Sequence, residues 1–325
     1  MVDYLYLKDS IDTFKRNYKF LKIFSIGKSV LNNEIYCFKF GIGKKEVLYS
    51  AGIHANEWIT SLLLIKFLQN LSNAYLSNSQ IYGYDAKYLY DNCSLYIVPM
   101  INPDGINLVN NFYPKDSKIY YDTQKISKKF PDIPFPSGWK ANINGVDLNS
   151  QFPANWELGK KIKSNIGFNH PAPRDFAGSS PLSEPEAKSL YKFTLLKNFS
   201  LCLCFHSQGE VIYWKYIEFL PQNSLTLAKE FAHVSGYELE VTPYNSSFGG
   251  FRDWFIQNFN KPGFTIEVGK GENPLPIEQF NKIYHDTLGI LVLGCVLWFF
   301  NLPTAGRPSR LFKLKCNINI AHFIY

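Results

Sequence analysis

Four apolar runs punctuate the chain: "EVLYSAGI" (46–53), "CSLYIVPMIN" (93–102), "LCLCFHSQ" (201–208) and "PGFTIEVG" (262–269). Each is short and bounded by turn signals, which predicts buried strands. Between and after them, apolar residues recur at helical spacing over 58–76, 184–196, 224–236 and 277–300. Strands alternating with helices predict an α/β chain, a three-layer α/β/α sandwich around a mixed central sheet. From about residue 103 to 180 the rhythm gives way to a polar and aromatic stretch rich in Pro, Gly and Asn. A loop insertion of that size in a compact domain is usually functional. The chain thus divides into an N-terminal segment over 1–19, one large domain over 20–300 and a tail over 301–325 where the pattern is lost. The longest apolar run, "TLGILVLGCVLWFF" (287–300), is too short to span a bilayer comfortably. It reads as a buried C-terminal helix, so no membrane span is expected.

Composition narrows the partners. With 46% hydrophobic residues in 325 the chain can bury a large core, and 19% charged residues argue against long disordered tails. The net charge of +7 is spread along the chain, densest at "RPSRLFKLK", and no nucleic-acid motif accompanies it. No nucleic-acid partner is expected. Cys37, Cys93, Cys202, Cys204, Cys295 and Cys316 form no C-x-x-C pair and mostly sit in apolar runs, which predicts reduced, buried thiols. The N-terminus lacks the basic start and apolar stretch of a secretory signal, so a cytoplasmic location is expected.

The candidate chemistry lies at strand exits. His54 and Glu57 stand three apart in "SAGIHANEWIT", just past the first apolar run. At a helix start that spacing puts them on neighbouring positions of one face, suited to two ligands of a metal. A surface turn that happens to contain both fits the same spacing. A catalytic zinc needs three protein ligands and one open position. His206 closes "LCLCF" and so also leaves a strand at its carboxyl end, where open α/β sheets bind their ligands. Glu267 lies inside "FTIEV", where a carboxylate is costly unless a charged or hydrogen-bonding group faces it. A salt-bridged core glutamate is the competing reading. His170, His233, His285 and His322 have no partner at metal spacing and read as structural.

Taken in order, "HANEWIT", "NPDGINL", "GVDLNSQFPANWE", "FHSQG" and "GGFRDWF…PGFTIEVG" resemble the motifs of zinc peptidases similar to carboxypeptidase A, over about residues 20–295. The resemblance implies a carboxypeptidase-like catalytic domain and one Zn2+ per chain, held by His54, Glu57 and His206. It implies Glu267 as the carboxylate that activates the attacking water, and Asp147 as the acid that orients the His54 imidazole. Lys140, in "GWKAN", is the cation nearest the place where these enzymes carry the arginine that polarises the scissile carbonyl. A solvated loop lysine is the alternative.

Departures from the pattern bear on the substrate. Exopeptidase members grip a terminal carboxylate with an Asn-Arg pair, and here the pair is Asn149-Ser150. Serine cannot replace a bidentate guanidinium, so ordinary carboxypeptidase action is not expected, and Asn149 alone remains as a substrate-binding residue. Arg252 falls where the floor of the specificity pocket is set and favours a side chain ending in a carboxylate, unless it is an exposed helix arginine. Tyr244, in "TPYNSSFGG", matches the family's mobile tyrosine with a one-residue offset. The phrases around Lys140 and Arg252 resemble the γ-D-glutamyl-L-diamino acid endopeptidase I branch. That implies hydrolysis of the γ-D-glutamyl–meso-diaminopimelate bond of peptidoglycan-derived peptides, in recycling or in a sporulating mother cell. The alternatives are a cytosolic carboxypeptidase acting on ordinary or acidic-ended peptides, and a non-catalytic binding protein of the same fold. The oligomeric state is left open.

Overall fold

The computed structural model describes residues 2–296; the expected tail over 301–325 and the end of the apolar run at 297–300 lie outside them. The first half of the chain runs α1 (Tyr4–Asn17), β1 (Lys22–Lys28), β2 (Glu34–Phe40), β3 (Lys45–Ser50), α2 (Ile59–Leu76), β4 (Gln80–Ile81), β5 (Tyr84–Asp85), α3 (Ala86–Asn92), β6 (Cys93–Val98), α4 (Pro103–Val109) and α5 (Lys118–Ser127). The second runs α6 (Trp156–Asn165), α7 (Pro185–Leu195), β7 (Phe199–His206), β8 (Val211–Tyr213), α8 (Ser224–Ser235), β9 (Glu238–Glu240), α9 (Phe251–Phe259), β10 (Gly263–Glu267) and α10 (Phe280–Val296).

Eight strands form one sheet in the order β1-β2-β6-β3-β7-β10-β8-β9. Its centre, β6-β3-β7-β10, is parallel, and antiparallel pairing on both sides makes the sheet mixed, as expected. The four central strands are the four apolar runs. Side chains alternate between the faces of a strand, and each set finds its own helical layer. Val47, Tyr49, Leu201, Leu203 and Phe205 share a core with Leu7 and Ile11 of α1, Leu64 of α2, Phe231 of α8 and Ile290 of α10. Leu48, Cys202 and Cys204 point the other way, against Leu190 of α7 and Trp254 and Phe255 of α9. The result is the α/β/α sandwich.

Three features differ from what the pattern suggests. The segment over 1–19 contains α1, capped by Asp3, whose side chain accepts from Tyr6 N; its Leu7, Ile11 and Phe14 are buried in the same core as the sheet. The stretch from 103 to 180 is not one long loop. It holds α4, α5 and α6 and a small core of its own, in which Leu108, Tyr120, Trp139, Ala141 and Ile143 are buried. Short helices started by local caps, such as Asn102 before α4 and Ser117 before α5, leave little periodicity to read. Finally, β1, β8 and β9 are short or half-exposed strands at the sheet margins and lack the continuous apolar runs of the centre.

Candidate active site

Three parallel strands bring the chemistry to one edge of the sheet. In the register of β7 with β10, Glu267 lies beside His206; in that of β3 with β7, Ser50 lies beside Cys204. From β3 the next strand of the sheet is β6, on one side, and from β7 the next strands are β8, β9 and β10, on the other, so the crevice opens where the strand order diverges. Just past β3, a 3-10 turn over Ala55–Glu57 leads into α2 and brings Glu57 back beside His54. His206 follows Cys202 and Cys204 on the alternating pattern, and Glu267 follows Thr265, so both face the layer that carries α9.

The side chains converge. His54 Nδ1 is 2.8 Å from Glu57 Oε1, and His206 Nδ1 is 3.0 Å from Glu57 Oε2. The two Nδ1 atoms are 3.2 Å apart. All three residues are buried, with their ligand atoms within 4.8 Å of one another. Atoms at about 2.0–2.2 Å from one tetrahedral ion lie roughly 3.3–3.6 Å apart, so an outward shift of a few tenths of an ångström seats a zinc among them. Two imidazole nitrogens that face each other share at most one proton, and a cation suits that arrangement better. The donor set, two imidazoles and a carboxylate, is that of a catalytic zinc with a position left for substrate or water.

The surrounding charges agree. Burial alone raises the Glu57 carboxyl, but His54, Lys140 and His206 outweigh it and hold the group well below the usual carboxylate range. Burial pushes the His206 imidazole down, more than Glu57 pulls it up, which favours the neutral ring that ligates metals. For His54 burial is outweighed by Glu57 and then Asp147, and the ring is held up at about 9. Its Nε2 lies 3.2 Å from Asp147 Oδ1, which fixes the ring with Nδ1 toward Glu57. Asp147 is itself held by Asn149 N, which donates to Oδ1 at 3.0 Å, and Asp175 N, which donates to Oδ2 at 3.1 Å. An outer carboxylate of this kind typically accounts for 10–100-fold in metal affinity. Asp147→Asn is therefore expected to weaken zinc binding by about that factor, measured by competition with a chromophoric chelator, with the fold unchanged by circular dichroism.

Lys140 stands beside the cluster, its Nζ 3.1 Å from Glu57 Oε1. Trp139, fully buried, anchors the loop by donating from Nε1 to Asn142 O at 3.1 Å. The backbone N–H groups of Lys140 and Ala141 both donate to Pro173 O. Lys140 is thus a placed cation and not a solvated loop lysine.

A cleft of about 240 Å³ opens over these residues. It is lined by His54, Lys140, Asp147, Asn149, His206, Arg252 and Glu267. Arg252, 5% exposed, is no surface helix residue. Its Nε donates to Asp253 Oδ1 at 3.0 Å and its Nη2 to Thr242 Oγ1 at 3.0 Å, while the buried Nη1 has no partner among the described residues. Asn149 Oδ1 accepts from Phe251 N at the start of the same helix. Gly249, at φ +77°, lets that loop lie against Ser150; a Cβ there would stand 3.2 Å from the Ser150 backbone. Glu267 is half-buried in the cleft wall. Burial and then the negative charge of Glu57 push its carboxyl up to about 8, against the pull of Lys140, His54 and Arg252. It is therefore no salt-bridged core glutamate.

Tyr244 is not brought to the cleft. It is 63% exposed and packs edge-on against Phe248, which does line the cleft. Conversely, Lys163, Arg174, Asp175 and Asp253 line the cleft and carry no signal in the sequence that singles them out. The two acids each follow or face a cation, but only the folded loops show that these pairs share one cavity.

Comparison with known proteins gives a consistent picture. A family model described as zinc carboxypeptidase matches residues 7–289. The γ-D-glutamyl-L-diamino acid endopeptidase 1 of Lysinibacillus sphaericus is 43% identical over 297 residues, covering 91% of this chain and 72% of the relative. The uncharacterized protein YqgT of Bacillus subtilis (strain 168) is 40% identical over 287 residues, covering 88% of this chain and 73% of the relative. In fold, the chain is similar to thrombin activatable fibrinolysis inhibitor, with a TM-score of 0.67 and 17% identity, over 90% of this chain and 73% of that one.

Proposed function

The chain belongs to the zinc carboxypeptidase family and is a zinc metallopeptidase; from that premise we propose that it hydrolyses the γ-D-glutamyl–meso-diaminopimelate bond of peptidoglycan-derived peptides. The observation that carries this reading is Arg252, buried in the cleft with an unpartnered Nη1, while Ser150 stands where a terminal-carboxylate clamp would need a guanidinium. Diaminopimelate carries a carboxylate at the end of its side chain, and a buried guanidinium with free donors suits it. The relative from Lysinibacillus sphaericus, by its name, acts on the same class of bond.

In this reading His54, Glu57 and His206 hold the zinc and Asp147 keeps His54 oriented. Zinc, when bound, supplies Lewis acidity that polarises the carbonyl and acidifies water. Glu267 accepts a proton from the attacking water at a carboxylate oxygen and later delivers it to the leaving amine. Lys140 Nζ offers positive charge to the oxyanion that develops on the attacked carbonyl. Arg252 and Asn149 hold the substrate on the amine side. The described cysteines Cys37, Cys93, Cys202, Cys204 and Cys295 are buried and free, which supports a reducing, cytoplasmic setting and thus recycled fragments or a mother-cell role. No helix of the described residues is long and apolar enough to cross a membrane.

The test is hydrolysis of L-Ala-γ-D-Glu-meso-diaminopimelate by the zinc-loaded protein, with release of diaminopimelate as the readout. Arg252→Gln is expected to raise KM about tenfold or more, the worth of a charge-assisted hydrogen bond. It also carries a signature in pH. Glu267 must be ionised to accept a proton, so kcat/KM rises with pH as it titrates. Arg252 is one of the charges that lower its pKa, so the variant's acid limb moves to higher pH. Cleavage of ordinary acidic-ended peptides, but not of the stem peptide, would move the assignment to a carboxypeptidase.

A further inference from the structure

The charged groups of the cleft lie in an order. The Pro173 carbonyl accepts from the backbone N–H groups of Lys140 and Ala141; Arg174, next in the chain, lines the same cleft as Lys140 and acts on it electrostatically. Lys140 lies against Glu57 of the ligand cluster. Arg252 approaches from α9 and interacts electrostatically with Glu267, whereas the acids felt by Arg174 are Asp175, Asp147 and Glu57. The charges are linked in series: Lys140 feels both Arg174 and Glu267, and Glu267 feels both Lys140 and Arg252. The reacting carbonyl belongs between Lys140 and Glu267, so a cation stands on each side of the scissile bond.

Arg174 is held for binding. Its Nε donates to Asp175 Oδ2 at 2.6 Å, and no hydrogen bond within the described residues uses either Nη. Its side chain is 45% exposed. Asp175 also pairs with Lys163 through Oδ1, so one carboxylate meets two cations and a net positive charge remains. The backbone N–H of Asp175 donates to Asp147 Oδ2, which ties the position of Arg174 to that of the His54 carboxylate partner. A guanidinium anchored by one edge, with two nitrogens open to the cavity, fits a carboxylate bidentately.

We infer that Arg174 is a specificity-determining residue that receives a carboxylate on the acyl side of the scissile bond. This rests on the proposed reading, in which Arg252 takes the amine side. A glutamyl residue joined through its γ-carboxyl keeps its α-carboxylate free on the acyl side, about three carbons from the carbonyl to be attacked, and an α-linked neutral residue in an ordinary peptide offers no carboxylate there. Arg174 then favours the γ-linked glutamyl residue over peptides with a neutral residue on the acyl side, and Arg252 recognises the diamino acid on the far side of the bond.

The experiment compares two substrates that differ only in that group: L-Ala-γ-D-Glu-meso-diaminopimelate, and the same peptide with the glutamyl α-carboxylate converted to the carboxamide. The zinc-loaded wild type is expected to prefer the free acid in kcat/KM by about 10- to 100-fold, the range of a charge-assisted hydrogen bond. Arg174→Gln is expected to bring the ratio to within about threefold, and Arg174→Lys, which keeps the charge without the fork, to an intermediate value. A residue that only braces the loop would lower both rates in parallel and leave the ratio intact, which overturns the inference. So does a wild type that cleaves both peptides equally, and in that case the proposed bond specificity survives. Cleavage of neither peptide by zinc-loaded protein removes the proposed function and this inference together.

Discussion

Glu267→Gln is expected to lower stem-peptide hydrolysis by about a thousandfold while one zinc per chain remains bound. General acid–base catalysis by a placed side chain contributes 10²–10⁴-fold, and glutamine keeps the shape and polarity of the group but cannot carry the proton. Glu267, the proposed base, stands outside the group of His54, Glu57 and His206 that could hold the metal. Zinc content, measured by elemental analysis of the purified variant, should therefore match the wild type. Stability supplies a second check. The Glu267 carboxyl is raised to about 8 by burial and by Glu57, so the metal-free folded state binds more protons than the unfolded chain above the ordinary glutamate range. The stability linked to that protonation is full at low pH and is lost as pH rises toward 8. Glutamine has no such loss, so metal-free Glu267→Gln should melt at the same temperature as wild type or higher at pH 8 and above. A large drop in both melting temperature and zinc content would mean that the residue is structural.

Removing the metal is expected to have an effect at least as large. Exhaustive chelation should bring turnover below about one-thousandth, and one equivalent of zinc should restore it, because the metal supplies the polarisation that no nearby side chain replaces. The metal-free protein should nevertheless stay folded. Its two main cores lie on either face of the sheet, made of residues such as Leu203 and Trp254 that do not belong to the cluster. Within the cluster, Glu57 has His54, His206 and Lys140 as partners. Zinc that binds only the folded state should raise the melting temperature progressively with its concentration. His206→Ala, with one of three ligands gone, should show neither that rise nor any recovery of turnover. Turnover that survives chelation would exclude a metal-dependent mechanism.

Much of this site is legible in the sequence alone, for identifiable physical reasons. Central parallel strands are buried on both faces and so appear as continuous apolar runs. A polar residue at the exit of such a run is conspicuous, which is how His54, His206 and Glu267 stand out. The loops are harder to read. Nothing local in "NHPAPRDFAG" marks Arg174 as different from any exposed arginine. Its place depends on Pro173 accepting from Lys140 and on Asp175 reaching Asp147, contacts between residues 28 or more positions apart. The partnerless Nη1 of Arg252 is equally invisible, since it depends on Thr242 and Asp253 taking the other nitrogens. The marginal strands escape because β1 and β9 are half-exposed and carry no unbroken apolar run.

The pairing of β10 with β7 also acts as a kind of reading frame. Glu267 faces the cleft and Ile266 faces the helices on the other side, and a shift of one residue exchanges them. Such a shift would bury a carboxylate among apolar side chains and present an isoleucine to the substrate. The segment 260–262, between α9 and β10, therefore has its length tied to which face of the sheet Glu267 presents at the far end of the strand. Arg174, in its loop, is under no such count, whereas Arg252, on α9, is joined to β10 by that same short segment.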